Sequence, residues 1–335
     1  MSEIPPMIPS IADAQPGPIA DLSYRNYDGP LNVRLFRWWI VAVAGLRLAI
    51  KKKGFWIVAA ISILPYLIIG LTLYLSSSGV NTTLSPVPVG QKYSSQFFQA
   101  AGLQSLWLFI IAVLVGSSSI AADNQANALM VYLSKPITKG DYLLGKWMST
   151  FLAVTAVALV PSILLYFYCL LSFQSAGFLK EEPWLFLRVI GAATIPGIVH
   201  ASLIVGISAW SKTPRMAGAI YAGLYFMSFA LATMVWAIAF QGDLSEGVMV
   251  RHLAIGTAIQ GVEQNIYSVD VRQPGMRRRR QNKKKAGQTG QPQMDLAIEI
   301  PVPNVGPMVL LVGSYCVVGV MAARSRIRAV EVVKG

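Results

Sequence analysis

The chain has 335 residues, of which 54% are hydrophobic and only 13% charged, with a formal net charge of +13 and a mean hydropathy of +0.54. A soluble domain carries about 25% charged residues. This composition therefore excludes a soluble globular enzyme, a disordered chain and a disulfide scaffold. Retention of positive charge on the cytosolic side of a membrane explains the surplus of Lys and Arg, without a nucleic-acid partner.

Residues 1–30 are rich in Pro, Ala and Gly and predict a flexible cytosolic arm. Residues 31–53 differ, because large apolar side chains are interspersed with Arg34, Arg37 and Arg47 close to one helical face. They predict an amphipathic helix that lies in the cytosolic interface of the membrane. The alternative is a juxtamembrane extension of the first span.

Six stretches of at least 18 residues contain no Asp, Glu, Lys or Arg. A helix needs about 20 apolar residues to cross about 30 Å of hydrocarbon, and these stretches lack the alternating hydropathy of barrel strands. They predict an all-α membrane protein whose six-span domain covers residues 54–323. The predicted spans are 55–75, 99–121, 147–171, 188–209, 216–240 and 306–323.

The distribution of Lys and Arg predicts the orientation. An even number of spans places both termini on one side, and that side collects 16 basic residues against three in the short opposite loops and span edge. The positive-inside rule then places both termini, including the basic tail 324–335, in the cytosol. The chain is predicted to be a multi-pass protein of the plasma (inner) membrane.

The loop 241–305 lies outside in this topology, although it carries nine basic residues, including the run 277–285. Long loops follow the charge rule less strictly. Residues 248–267 predict a short external helix, and residues 271–293 are predicted to be disordered. A seventh span within 243–270 is excluded by its charges, which are Asp243, Glu246, Arg251, Glu263 and Asp270.

The cytosolic loop after the second span carries the most informative pattern. Leu129, Tyr132 and Leu133 lie on one face of a short amphipathic helix that Pro136 ends. Asp123 follows the span, where a carboxylate interacts favourably with a helix N-terminus. The pattern predicts a short cytosolic helix that is rigidly joined to two spans and could transmit a push from a soluble partner.

This loop resembles that of the ABC-2 type permeases, the membrane subunits of one class of ATP-binding cassette transporters. Lys135 stands where Arg is commoner in the family pattern. The residues that match the pattern are Asp123, Leu129, Leu133, Ser134, Lys135, Pro136, Ile137, Lys139, Tyr142, Gly145 and Lys146. The six spans, the helix before the first span and the basic tail agree with the same family.

The resemblance implies a transport subunit in which the loop between spans 2 and 3 is a coupling helix. Tyr142, Gly145 and Lys146 then join this helix to span 3. It also implies a second permease subunit, as a homodimer or heterodimer, and export more often than import. The implied contacts with a separate cytosolic ABC ATPase are Asp123, Leu129, Tyr132, Leu133, Ser134, Lys135 and Pro136.

The sequence shows no arrangement of catalytic or metal-ligating residues. Residues 140–147 approach a phosphate-loop pattern, but Trp147 replaces the hydroxyl that binds Mg²⁺. The chain is therefore predicted not to be an enzyme and to hold no cofactor, with ATP and Mg²⁺ bound by the partner ATPase. Polar residues within the spans that could line a substrate pathway are Ser117, Ser118, Ser119, Thr194 and His200.

Two other functions stay open at this point. An ion- or proton-driven secondary transporter would carry buried carboxylates or an inverted repeat, and none of the six charge-free stretches contains a carboxylate. A membrane scaffold that recruits partners without transport would form complexes that do not depend on ATP.

Overall fold

The computed structural model of the protein describes residues 36–78, 93–128, 137–174, 177–239, 248–269, 271–274, 297–300 and 303–326. The predicted arm 1–30, the basic run 277–285 and residues 327–335 of the tail lie outside this part of the chain. The helices are α1 (Arg37–Ile50), α2 (Lys53–Ile61), α3 (Leu64–Ser77), α4 (Tyr93–Gly116), α5 (Ala121–Gln125), α6 (Lys139–Phe173), α7 (Phe178–Glu181), α8 (Leu185–Trp210), α9 (Pro214–Ala239), α10 (Val248–Arg251), α11 (Ile255–Tyr267) and α12 (Val305–Arg326).

Six helical stretches are long and apolar enough to cross a membrane, which confirms the predicted number of spans. Span 1 is α2 with α3, span 2 is α4 with α5, and spans 3 to 6 are α6, α8, α9 and α12. The largest difference in bounds is at span 3, where the helix begins at Lys139. A capping box begins it there: the Thr138 hydroxyl accepts from the Asp141 backbone N–H at 3.0 Å, and the Asp141 carboxylate accepts from the Thr138 N–H at 3.2 Å.

Span 1 is interrupted between α2 and α3, where Pro65 stands in the first turn of α3. Proline has no N–H, so the chain loses a helical hydrogen bond at this point. Near this interruption, the Gln104 side chain of span 2 donates through its Nε2 to the Ser62 carbonyl at 3.3 Å and to the Val157 carbonyl of span 3 at 3.0 Å. Val157 lies four residues before Pro161, whose missing N–H leaves that carbonyl without its helical donor. Span 1 is thereby joined to spans 2 and 3 through a buried amide.

Span 4, the helix α8, forms the centre of the bundle. It packs against α4, α6, α9, α11 and α12, and 67% of its apolar window is buried, compared with 6% for α9 and 11% for α12. A Cβ atom on Gly206 would lie 2.5 Å from the carbonyl oxygen of Gly319 in α12. Only glycine permits this close approach of two membrane helices.

The segment between spans 5 and 6 contains more structure than the sequence indicates. Two short strands, β1 (Val271–Pro274) and β2 (Ala297–Ile300), pair antiparallel, with Val271 opposite Ile300. The prediction of disorder is therefore wrong for residues 271–274, because four-residue strands leave too short an alternation to recognise. The six membrane spans are all helical, as predicted.

The helix α11 falls within the predicted external helix 248–267, and it packs against α4, α8 and α12. Its Glu263 is 2% exposed, and the Glu263 Oε2 atom meets no hydrogen-bond donor among the described residues. Burial raises the pKa of the Glu263 carboxyl to about 8. Sequence reasoning treated Glu263 only as a residue too polar for a span, because a buried carboxylate has no local pattern.

Candidate functional site

Span 2 bends where it approaches the predicted coupling loop. The helix α4 ends at Gly116, four residues form turns, and α5 begins at Ala121. The first N–H groups of a helix have no partner within it, and here the Ser208 hydroxyl of span 4 accepts from the Ile120 N–H at 3.0 Å and the Ala121 N–H at 2.9 Å. The same hydroxyl donates to the Ser117 carbonyl at 3.0 Å. Span 4 therefore fixes the bend of span 2.

Three residues of the family pattern meet directly after this bend, and we call Asp123, Tyr142 and Lys146 the junction cluster. The Tyr142 hydroxyl donates to Asp123 Oδ2 at 2.6 Å, and the Lys146 ammonium lies 2.7 Å from the same oxygen. Tyr142 and Lys146 are one turn apart on α6, so both reach one carboxylate from the same helix face. The Lys146 and Asp123 side chains are only 10% and 15% exposed.

The junction cluster joins the two ends of the predicted coupling loop. Asp123 precedes the loop on span 2, whereas Tyr142 and Lys146 follow it on span 3. An ion pair that is shielded from water is screened less by salt than an exposed one. The two spans are thus held together at the points where the loop leaves and rejoins them.

The helix α1 crosses α6 beside the junction cluster, and two glycines allow the contact. A Cβ atom on Gly145 would lie 2.6 Å from Val41 Cβ and 2.7 Å from the Trp38 carbonyl oxygen. A Cβ atom on Gly45 would lie 2.7 Å from Ser149 Oγ. The helix that precedes the first span therefore packs on the same turn of span 3 that carries Lys146. Its position in the membrane interface stays a prediction.

Lys52, between α1 and α2, connects the first span to the same region. Its ammonium donates to the Leu114 carbonyl at 2.6 Å and to the Ser118 hydroxyl at 3.0 Å, near the C-terminus of α4. A cation at a helix C-terminus interacts favourably with its free carbonyls. Burial lowers the pKa of the Lys52 ammonium. Sequence reasoning counted Lys52 only as part of the positive-inside signal and missed this contact.

The residues predicted to line a pathway do not converge. Ser117 and Ser119 are buried at the bend of span 2, and Ser118 binds Lys52. Thr194 donates to the Gly191 carbonyl of its own helix. His200 is 1% exposed, and its Nδ1 lies 2.5 Å from the Tyr221 hydroxyl, which joins spans 4 and 5. Their role in a pathway stays a prediction.

The remaining predicted contacts with an ATPase lie outside the described residues. These are Leu129, Tyr132, Leu133, Ser134, Lys135 and Pro136. Within the described part of the chain, no group of three His, Cys, Asp or Glu side chains could hold a metal ion.

Six apolar helices, one of them at the centre of the bundle, define a multi-pass membrane protein. Residues 39–326 match the family described as ABC-2 family transporter protein, so the chain belongs to that family. A relative described as "Probable ABC transporter permease protein NosY", from Pseudomonas aeruginosa, is 24% identical over 215 residues, which cover 62% of this chain and 73% of the relative. The family match begins within α1 and ends with α12, and it confirms the resemblance drawn from residues 120–146.

Proposed function

We propose that the chain forms the substrate pathway of an ABC transporter and is driven by a separate cytosolic ATPase chain that binds ATP and Mg²⁺. Membership of the family supports a membrane subunit of an ABC transporter. The junction cluster is the observation that supports the coupling of this subunit to an ATPase. Asp123 is held to Tyr142 and Lys146 by contacts of 2.6 and 2.7 Å. A displacement of the intervening loop therefore moves spans 2 and 3 together.

The proposed coupling follows from differential contact. A ligand or partner shifts a conformational equilibrium only when it binds the two states differently. The ATPase pair would contact the loop through the residues between Asp123 and Ile137, and its closure on ATP would favour one arrangement of the loop. The bend of span 2 then transmits the change to span 4 through Ser208.

We propose that the junction cluster faces the cytosol, together with both termini, in the plasma (inner) membrane. The excess of Lys and Arg on this side supports the orientation. Arg47 and Lys51, at the end of α1, are exposed on this side. An amphipathic α1 in the interface would place these cations among the headgroups.

The proposal includes a second permease subunit. The proposed direction of transport is export, which the resemblance to the family implies more often than import. The apolar window of α9 is 6% buried within one chain. Large side chains such as Phe226, Met227 and Ile238 are more than half exposed. A second chain packed on this helix would enclose a pathway, whereas lipid would cover it in a lone subunit.

The proposal is tested with the tagged full-length chain expressed beside its ATPase. We expect the ATPase to co-purify, and we expect ATP to change the distance between spin labels placed at Arg215→Cys in a two-permease complex. Lys146→Met should abolish the ATP-dependent change while the ATPase stays bound. Lys51→Met, an exposed lysine on the same side, is the matched control and should keep the change.

Two outcomes would contradict the proposal. Solute movement in proteoliposomes that lack any ATPase would favour a secondary transporter. If ATP does not change the distance between the spin labels in complexes that keep Lys146, the result would favour a scaffold.

A further inference from the structure

A cavity of about 430 Å³ opens between the ends of spans 2, 4 and 6, beside the junction cluster. Asn124 and Gln125 of α5 line one wall, Trp210, Ser211 and Lys212 line the second, and Arg326 of α12 lines the third. The cavity belongs to neither the junction cluster nor the predicted pathway residues.

The cavity is positively charged. Lys212 and Arg326 contribute two cations, and none of the described residues that line it is acidic. Arg326 is positioned by Trp210, because its guanidinium carbon lies 5.5 Å from the centroid of the Trp210 ring. Trp210 is fixed in turn by its indole N–H, which donates to the Ala322 carbonyl at 2.8 Å. One of the two cations is therefore held in place before any ligand arrives.

Two of the carbonyl groups that would repel an anion are already engaged. The cavity lies at the C-terminus of α8, where free carbonyl oxygens carry partial negative charge. The Asn124 Nδ2 donates to the carbonyls of Ala209 at 3.2 Å and Ser211 at 3.3 Å. The Gln125 amide lines the same space and carries further N–H donors. The charges and the N–H donors thus favour an anion, and the cavity volume of about 430 Å³ suits an anion the size of a lipid headgroup.

The cavity also borders the lipid-facing surface. Trp210 is 58% exposed, and Val318 and Met321 on α12 are 64% and 65% exposed. Tryptophan is enriched at the level of the headgroups, and basic pockets between membrane helices on the cytosolic side bind anionic headgroups. We propose that this cavity binds the phosphate of an anionic phospholipid of the cytosolic leaflet, such as phosphatidylglycerol. The inference rests on the proposed orientation of the chain, but it does not depend on coupling to an ATPase.

The test is a thermal-shift titration of the purified full-length chain with dioctanoyl-phosphatidylglycerol, beside dioctanoyl-phosphatidylcholine and inorganic phosphate. Each cation near an anionic headgroup contributes a factor of about five in affinity. The double substitution Lys212→Gln with Arg326→Gln should therefore weaken phosphatidylglycerol binding about 30-fold. Phosphatidylcholine and inorganic phosphate should stabilise the wild-type chain much less at equal concentration.

Matched variants separate charge from packing. Arg215→Gln removes an exposed cation at the start of α9 that does not line the cavity, and it should leave binding unchanged. Arg326→Lys keeps the charge and should bind more tightly than Arg326→Gln. Lys212→Gln alone, at an exposed position, should weaken binding about five-fold even if the double variant folds poorly.

Three results would overturn the inference. The first is equal phosphatidylglycerol binding by the wild-type chain and the double variant. The second is equal stabilisation by inorganic phosphate or phosphatidylcholine, which would assign the cavity to free phosphate or to lipid in general. The third is loss of ATPase co-purification by Lys212→Gln while its phosphatidylglycerol binding stays at the wild-type level, which would assign the cavity to an acidic segment of the partner protein.

Discussion

The junction cluster makes a quantitative prediction for Lys146→Met. The substitution keeps a long apolar side chain and removes the ammonium 2.7 Å from Asp123. At that separation two unit charges attract by about 6 kcal/mol at an effective dielectric constant near 20. Desolvation offsets part of this attraction, and loss of one partner from a buried pair costs about 3–5 kcal/mol. Since both groups retain some exposure, we expect the free energy of unfolding to fall by about 3 kcal/mol.

The measurement is equilibrium unfolding in mixed micelles, followed by tryptophan fluorescence. Lys139→Met is the matched control, because Lys139 lies on the same helix and is exposed, and it should change the free energy of unfolding by less than about 0.5 kcal/mol. The double variant Asp123→Asn with Lys146→Met leaves no uncompensated charge. It should therefore lose at least about 1.5 kcal/mol less than the sum of the single variants. Additive losses, or a loss below about 1 kcal/mol for Lys146→Met, would refute the reasoning.

Three further predictions concern packing, the bend of span 2 and pH. Gly145→Leu should lower the free energy of unfolding by about 1–3 kcal/mol, because the new side chain collides with Val41. It should also weaken the packing of α1 on α6, which limited proteolysis would detect. Gly54→Leu is the control, since a Cβ atom there meets nothing within 4 Å. Ser208→Ala leaves two buried N–H groups without an acceptor and should cost about 2–3 kcal/mol in the same unfolding measurement. Because burial raises the pKa of Glu263 from 4.5 to about 8, its contribution to stability is complete below pH 4.5 and is lost as the pH rises through about 8. Glu263→Gln should remove that part of the pH dependence and raise the thermal midpoint at pH 8.5, and an unchanged pH profile would contradict the assignment.

The spans are predictable from sequence because a single physical requirement determines them. Each crossing needs a long stretch without charge, so the six helices follow the six charge-free stretches. Tyr142, Gly145 and Lys146 stand out only through the resemblance to a family. Periodicity alone does not reveal that Tyr142 and Lys146 reach Asp123, because the partners are separated by a loop.

Contacts between segments that are distant in sequence cannot be predicted from periodicity or from charge-free stretches. Ser208 bonds the backbone of Ile120, which is 88 residues away in sequence, and Trp210 bonds the carbonyl of Ala322, 112 residues away. Serine and tryptophan in an apolar stretch are ordinary residues, and nothing local distinguishes these two. The docking of α11 is likewise set by the faces of α4, α8 and α12, which become defined only when the bundle is assembled.

The contacts around the junction cluster define which helices would respond first to a push on the predicted coupling loop. Asp123 moves with the short helix α5, and α5 is bonded to span 4 through Ser208 and through the Asn124 amide. The other end of the loop is bonded to the same carboxylate through Tyr142 and Lys146. Span 4 is the most buried helix and contacts span 6 at Gly206 and Gly319. A displacement of the loop would therefore reach the centre of the bundle through spans 2, 3 and 4. Span 5 would follow through its contacts with span 4, such as the bond between His200 and Tyr221, and with span 2, where Phe109 stacks on Tyr225.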